Sequence, residues 1–336
     1  MSAASPNLDA EILRALLADR ATPLSGELLA ERLGVSRTAV WKRIALLQEL
    51  GYPIVSLPHQ GYRMEEALPD LLVADELEAR LARPSKYGKE GIAWRAVVFR
   101  ETQSTNDLAL REAQGGAAAG LVVVAERQTK GRGRQGRKWH SRSGEGLWFS
   151  LVLRPRWPLG HVARLTIVAA LAAAEAIESL LPPTAGKIGI KWPNDLFHDG
   201  KKLGGILTEI QADAEAIAFA VVGIGINCRQ TRSDFSDDIA GIATSLKLIA
   251  GDAAPRRAEL LAALLPRLEA RLRDPFEDVR EAWAARCFSL GRMVSVRTPS
   301  GTIQGHAVGL DEGGALLLRR EGGGVVEAVT AGDVLI

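Results

Sequence analysis

Apolar positions along the chain recur at two spacings, helical and alternating, and the switches between them divide it into three regions. Residues 8–17 read as an amphipathic helical segment. The run SGELLAERLGVSRTAVWKRIALLQELG (25–51) then spells two short helices, with Ser25 and Ser36 as N-caps and Gly34 at the turn between them. In the second helix Val40, Ile44 and Leu47 fall at i, i+4 and i+7, leaving Arg37, Thr38, Lys42 and Arg43 for another face. PIVSL and GYRM, on either side of a turn at 59–61, read as a two-stranded wing. A winged helix-turn-helix over residues 1–66 is expected, with Ser36, Arg37, Thr38, Lys42 and Arg43 as its DNA-binding residues. A basic face that is merely solvated is the bland alternative. The lack of any acid between positions 35 and 48, together with the appended hairpin, favours DNA.

A Leu- and Glu-rich stretch (65–81) leads to a central region, 84–286, where the two spacings alternate. Residues 121–126, 147–153, 188–192, 202–210 and 218–226 read as strands, and 165–181 as a helix with a buried face. Asp199-Gly200 between two strand-like runs signals a hairpin, so part of the sheet is antiparallel. A leucine stripe over 260–272 predicts another helix, which Pro266 is expected to bend or shorten. The last segment, 287–336, consists of short strands between Gly-rich turns at 298–301, 311–314 and 321–324. The fold class expected is α+β: a winged helix-turn-helix, a central mixed-sheet α/β domain and a small SH3-like β-barrel.

At 336 residues the chain exceeds what one hydrophobic core supports, and 47% hydrophobic with 24% charged residues is ordinary globular composition. The longest apolar run, 167–174, ends at Glu175 and is too short for a bilayer span, so no membrane partner is expected. Acidic residues at 9 and 11 do not suit a secretory start, and a cytoplasmic location follows by default. Cys228 and Cys287 lie 59 positions apart and read as reduced thiols. The five histidines show no metal-ligand spacing, so no metal site is assigned.

Net charge is only +2, but residues 127–142 hold seven Lys or Arg and no acid. Within them GRGRQG (131–136) matches the dinucleotide fingerprint as a string. No apolar helix follows and no acid stands about 20 residues on, so that reading fails. A P-loop is also missing. What remains is a glycine-hinged loop whose arginines can grip an anion bidentately, closing at Trp139 between two strands. KWPNDL (191–196) puts Lys191 and Asn194 at a strand end, and GIGIN (223–227) ends another strand at Asn227.

Five strings occur in one order: STND (104–107), ERQTKGRGRQGRKW (126–139), KWPNDL (191–196), KLGGILTE (202–209) and VGIGIN (222–227). In that order, and over nearly the whole chain, the sequence closely resembles the biotin protein ligases. With its helix-turn-helix it is similar to the bifunctional type that also represses the biotin operon. The resemblance implies that biotin and Mg-ATP give biotinoyl-adenylate, and that a lysine of a biotin carboxyl carrier protein, the acetyl-CoA carboxylase subunit, then takes the biotinoyl group. It implies Ser104, Thr105, Asn106 and Gln128 at the biotin end, with Arg132, Gly133 and Arg134 closing over biotin and phosphate. By the same resemblance Lys191, also at the biotin, and Arg134 are expected to carry the catalysis, and Arg132, Arg134, Trp139, Lys191, Asn194 and Asn227 to serve ATP. Mg²⁺ rides on the nucleotide. The adenylate is expected to promote a homodimer that binds operator DNA. Lys130 stands where the family usually has a small residue, 228–238 matches poorly, and the side chain covering adenine stays open. A lipoate-type ligase of the same fold and a ligand sensor without ligase activity are the alternatives.

Overall fold

The computed structural model describes residues 7–81, 87, 90–213, 216–320 and 324–335. The expected boundary at 84 and most of the turn at 321–324 lie outside them. The chain divides into two compact units, Met1–Arg83 and Pro84–Ile336.

The first unit packs helices α1 (Leu8–Ala18), α2 (Gly26–Leu33) and α3 (Arg37–Glu49) beside the hairpin β1 (Ile54–Leu57) and β2 (Gly61–Met64). Both expected caps form: Ser25 accepts from the Leu28 N–H at 3.0 Å and Ser36 from the Ala39 N–H at 3.1 Å. Gly34 ends α2 at φ 64°, the left-handed conformation that glycine adopts without strain. Val40, Ile44 and Leu47 are buried with Ile12, Leu13 and Leu16 of α1 in one core. A fourth helix, α4 (Ala74–Leu81), occupies the Leu- and Glu-rich stretch. Its buried Glu76 accepts the Tyr52 hydroxyl at 2.8 Å, which ties this helix into the same unit.

The second unit is built on a seven-stranded mixed sheet: β3 (Arg95–Thr102), β4 (Leu121–Gln128), β5 (Gly146–Leu153), β6 (Gly189–Lys191), β7 (Asp195–His198), β8 (Lys201–Ala212) and β9 (Ile217–Asn227), in the order β3-β4-β5-β9-β8-β7-β6. Among the described strands only β3 and β4 run parallel, and helix α5 (Thr105–Gln114) makes their crossover. Neither β3 nor α5 is signalled by the apolar pattern. β3 is mostly half-buried, at the sheet edge, so its alternation is weak. Asp199 and Gly200, both at positive φ, turn β7 into β8 as expected.

Helix α6 (Val162–Glu178) starts three residues earlier than the apolar stripe implies. The stretch Leu159–Glu178 is long and apolar enough to cross a bilayer by length and composition, contrary to what the short uninterrupted run suggests. In the structure it is a core helix, buried from Leu165 to Ile177 on most positions and packed on β8 and on α8 (Arg257–Arg273). Pro266 neither ends nor shortens α8, which runs unbroken through it. An interior proline costs roughly 3 kcal/mol, whereas Leu260, Leu261, Leu264, Leu265 and Leu268, each worth roughly 1.5–3 kcal/mol, are all buried. After helix α9 (Phe276–Ala284) come β10 (Met293–Thr298), β11 (Gly301–Leu310), β12 (Leu316–Arg319), β13 (Val326–Val329) and β14 (Asp333–Leu335). They form one small antiparallel sheet in the order β13-β12-β11-β10-β14, with no pairing of β13 to β14 among the described residues.

Candidate active site and nucleic-acid interface

The start of α5 gathers one group of polar side chains. The Gln128 amide oxygen accepts both the Thr105 N–H at 2.8 Å and the Thr105 hydroxyl at 3.1 Å, while its amide donates to Ser141 Oγ at 2.9 Å. Asn106, 4% exposed, accepts the Ser150 hydroxyl at 2.6 Å on Oδ1 and donates through Nδ2 to Glu209 at 2.7 Å. It lies so close to the sheet that a Cβ on Gly223 would sit 2.0 Å from its Oδ1, so only glycine fits there. Ser104 is buried at the helix start and makes no side-chain cap bond.

The basic loop is a folded excursion. Its neck is closed by the Gln128–Ser141 bridge and its middle by Arg132–Lys138, and the Gly133 N–H donates to the Arg137 carbonyl at 2.7 Å. Trp139 returns the chain to the sheet edge-on to Trp148, with ring centroids 6.2 Å apart. It lies on a glycine floor, where a Cβ on Gly225 would reach within 2.8 Å of the indole. Its Nε1 is buried and has no hydrogen-bond partner among the described residues.

Every glycine-flanked arginine of the loop meets an acid. Arg132 donates to Asp107 at 2.6 Å and, with both terminal nitrogens, to Glu209 at 3.1 and 2.9 Å. Burial works against that charge, but Glu209 and Asp107 outweigh it and hold the guanidinium above its ordinary value. Arg134 donates to Asn194 Oδ1 at 3.3 Å and to the Gly332 carbonyl at 3.1 Å, and stands 3.5 Å from Asp333. Arg137 pairs with Asp333 directly.

Lys191 ends β6 just before a cis Trp192–Pro193 bond, half-buried, with Nζ 5.5 Å from the Phe197 ring centre. Burial holds its ammonium below the ordinary lysine value. Lys202 and Arg137 push the same way, and Asp195 and Asp333 oppose them. Lys191, Arg137, Asn194, Asp195, Arg297 and Asp333 line a cavity of about 340 Å³. Asn194 is fixed by a bond to the Ile206 carbonyl at 2.8 Å, and Asp195 by Lys202 Nζ at 2.7 Å. The site therefore has a neutral, amide-rich end at α5 and a charged end at Lys191, bridged by the arginine loop. An acid with a polar neutral head and an anionic partner such as a phosphate suits that polarity.

Of the residues expected from sequence, Ser104, Thr105, Asn106, Gln128 and Arg132 come together at one end, and Arg134, Asn194 and Lys191 at the other. Gly133 and Trp139 connect them. Asn227 ends β9 in bonds to the Thr244 carbonyl at 3.0 Å and Gln230 at 3.2 Å, joined to neither group. The sequence reading did not single out Ser141, Ser150, Asp195, Glu209 or Asp333. Ser150 carried a signal, since it is the lone polar side chain in LWFSLVL, a strand buried at every position. Asp333 carried none, because it reaches the loop from β14.

In the first unit, Arg37, Thr38 and Lys42 are exposed on α3, and Trp41 stands out among them at 59%. Arg43 differs: its guanidinium clasps Asp9 at 2.6 and 2.7 Å. The Ser36 hydroxyl serves as the cap.

Fold and site define the class: a helix-turn-helix unit joined to a ligase-type unit. Residues 98–227 match the Biotin/lipoate A/B protein ligase family, 10–63 an HTH domain, and 289–336 the Biotin protein ligase C terminal domain. The chain is 37% identical to the bifunctional ligase/repressor BirA of Bacillus spizizenii over 93% of either chain. It is 36% identical to the biotin--[acetyl-CoA-carboxylase] ligase of Mycobacterium tuberculosis over 77% of this chain and 95% of that one. The solved biotin protein ligase from Aquifex aeolicus, in complex with biotin and ATP, superposes at a TM-score of 0.60 with 32% identity, covering 71% of this chain and 97% of that one. The chain belongs to the biotin protein ligase family, on its bifunctional ligase/repressor side.

Proposed function

We propose that the protein activates biotin with ATP and transfers it to a lysine of the biotin carboxyl carrier protein of acetyl-CoA carboxylase, and that its first unit represses transcription in response. The observation that carries this reading is the two-ended site, in which amide-rich residues at α5 and Lys191 at β6 are linked by one arginine loop.

In the first step the biotin carboxylate attacks the α-phosphorus of ATP and pyrophosphate leaves. Two anions must approach, so fixed positive charge is the chief requirement. Lys191 supplies it at the reacting centre, held by the rigid end of a strand, and Arg134 supplies it from the loop. Mg²⁺ arrives with ATP as part of the substrate. Asp195 and Asp333 face the same cavity, but each already balances a cation of the chain. Ser104, Thr105 and Gln128 match the donors and acceptors of the ureido ring, while Arg132 and Gly133 close over it. Asn106 shapes this wall, its own amide being satisfied from within. Trp139 offers an apolar face and the unpartnered Nε1, and Asn194 steadies Arg134 on the ATP side. In the second step the carrier amine attacks the biotinoyl carbonyl and AMP leaves. A loop that excludes water protects the anhydride until then. Asn227 is assigned to the nucleotide side by the family pattern alone, since its amide is taken up by Thr244 and Gln230.

The residue assignments extend to the first unit, where Arg37, Thr38 and Lys42 contact DNA, with Ser36 and Arg43 at the edges of that face. A winged helix-turn-helix over 1–66 that α4 extends within the first unit, domains at 84–286 and 287–336, a cytoplasmic location, and a homodimer formed on adenylate binding and matched to a two-fold operator complete the proposal. ATP–pyrophosphate exchange tests it. Exchange that depends on biotin supports the reading, exchange that depends on lipoate replaces it with the lipoate-type ligase, and ligand binding without exchange reduces the protein to a sensor.

A further inference from the structure

We propose that Glu209 is the positioning residue that couples the two walls of the biotin end, a role that rests on the ligase reading above. β8 aims this carboxylate at residues from two distant segments. One is Asn106, in the first turn of α5, whose Nδ2 donates to Glu209 Oε2 at 2.7 Å and to the Leu207 carbonyl at 3.3 Å. The other is Arg132 in the loop, whose fork spans both carboxylate oxygens at 3.1 and 2.9 Å.

The amide of Asn106 has two orientations, and its neighbours select one. Ser150 donates to its oxygen while Glu209 accepts from its nitrogen, and the bare Gly223 lets it lie against the sheet. Turning the amide over would set the Asn106 oxygen against two acceptors, the Glu209 carboxylate and the Leu207 carbonyl, whereas the Ser150 hydroxyl can serve either orientation. Glu209 thereby fixes the first turn of α5, where Ser104 and Thr105 stand. The same carboxylate offers Arg132 a bidentate seat that Asp107, a single contact at 2.6 Å, does not reproduce. An exposed ion pair alone would be worth little. This one is joined to a buried amide, so disturbing the carboxylate disturbs the ring-binding wall and the loop together.

Substitution can separate the two halves. In Glu209→Gln the carbonyl that stands for Oε2 still accepts from Asn106 and from one Arg132 nitrogen, but its NH₂ turns away the other and the charge is gone. In Glu209→Ala both contacts go. Biotin KM is read from ATP–pyrophosphate exchange, and adenylate release from hydroxylamine trapping in single-turnover reactions without carrier. Glu209→Ala is expected to raise biotin KM about 10- to 100-fold and to speed adenylate release. Glu209→Gln is expected to keep KM within about threefold of the parent and to release adenylate faster than the parent but more slowly than Glu209→Ala. Arg132→Met added to Glu209→Ala should then add nothing to release. A Glu209→Ala enzyme with parental KM and release overturns the proposal. So do a Gln variant that matches Ala in both readouts, which would make Glu209 only a charge, and additive effects in the double variant. If the parent itself shows no biotin-dependent exchange, the ligase reading falls and takes this role with it. A working parent with an indifferent Glu209 removes only the inference.

Discussion

The molecule carries two basic clusters that look alike in sequence, and the structure treats them in opposite ways. On α3, Arg37 and Lys42 stand exposed and form no ion pair among the described residues. In the loop, Arg132, Arg134 and Arg137 all face carboxylates, from Asp107, Glu209 and Asp333. A solvated cation is free to neutralise any phosphate that comes near, which suits a long polyanion read by charge and shape. A paired cation must exchange one acid for another, so it answers only to a ligand that binds better than the partner it has. Arg43, clasped by Asp9, shows that both treatments occur within a single helix.

The contrast can be broken at several points. The largest effect is expected at Lys191, whose fixed charge has no substitute at the reacting carboxylate. Lys191→Ala should slow ATP–pyrophosphate exchange by about a thousandfold while tryptophan fluorescence still reports biotin binding. Comparable loss of binding would mean that the lysine holds ligand and does not catalyse. Next comes Arg134→Gly, which removes the link to Asn194 and Gly332 and should raise adenylate escape about 10- to 100-fold in a trapping assay. Equal retention by variant and parent counts against the loop as a clasp.

In the first unit, Arg37→Ala and Lys42→Ala should each lower the slope of log K against log salt by about 1, measured on a duplex selected from a random pool. Arg43→Ala should leave that slope close to the parent's and instead cost about 1–3 kcal/mol in urea unfolding, because Asp9 loses its partner. A reversed pattern would show that Arg43 leaves Asp9 for DNA. The smallest effect is a pH shift. Lys191 must stay protonated, burial already lowers its pKa, and Asp195 opposes that lowering. Asp195→Asn should therefore lower it further and move the alkaline limb of exchange to lower pH. A limb that stays put would remove Lys191 as the group titrating there.

What the sequence makes legible follows from where its information is local. Caps at Ser25 and Ser36, the Asp199-Gly200 turn and the helical spacing of Val40, Ile44 and Leu47 are near-neighbour matters, and all appear as read. β3 and α5 escape because a half-buried edge strand and a helix with a small buried face leave weak periodicity. Pro266 does not shorten α8 because its local cost is outweighed by leucines buried against a helix distant in sequence. In the site, the motifs identify which residues gather, but the carboxylates that hold the arginines come from β8, β14 and α5. No spacing along the chain announces that Asp333 meets Arg137, nor that Glu209 joins Asn106 to Arg132.

The most direct measurement is intact-mass analysis of a biotin carboxyl carrier domain after incubation with this protein, biotin and Mg-ATP. The account predicts a gain of one biotinoyl group on a single lysine, absent without ATP and nearly absent with Lys191→Ala. An unmodified carrier, or equal labelling with and without Lys191, would contradict it.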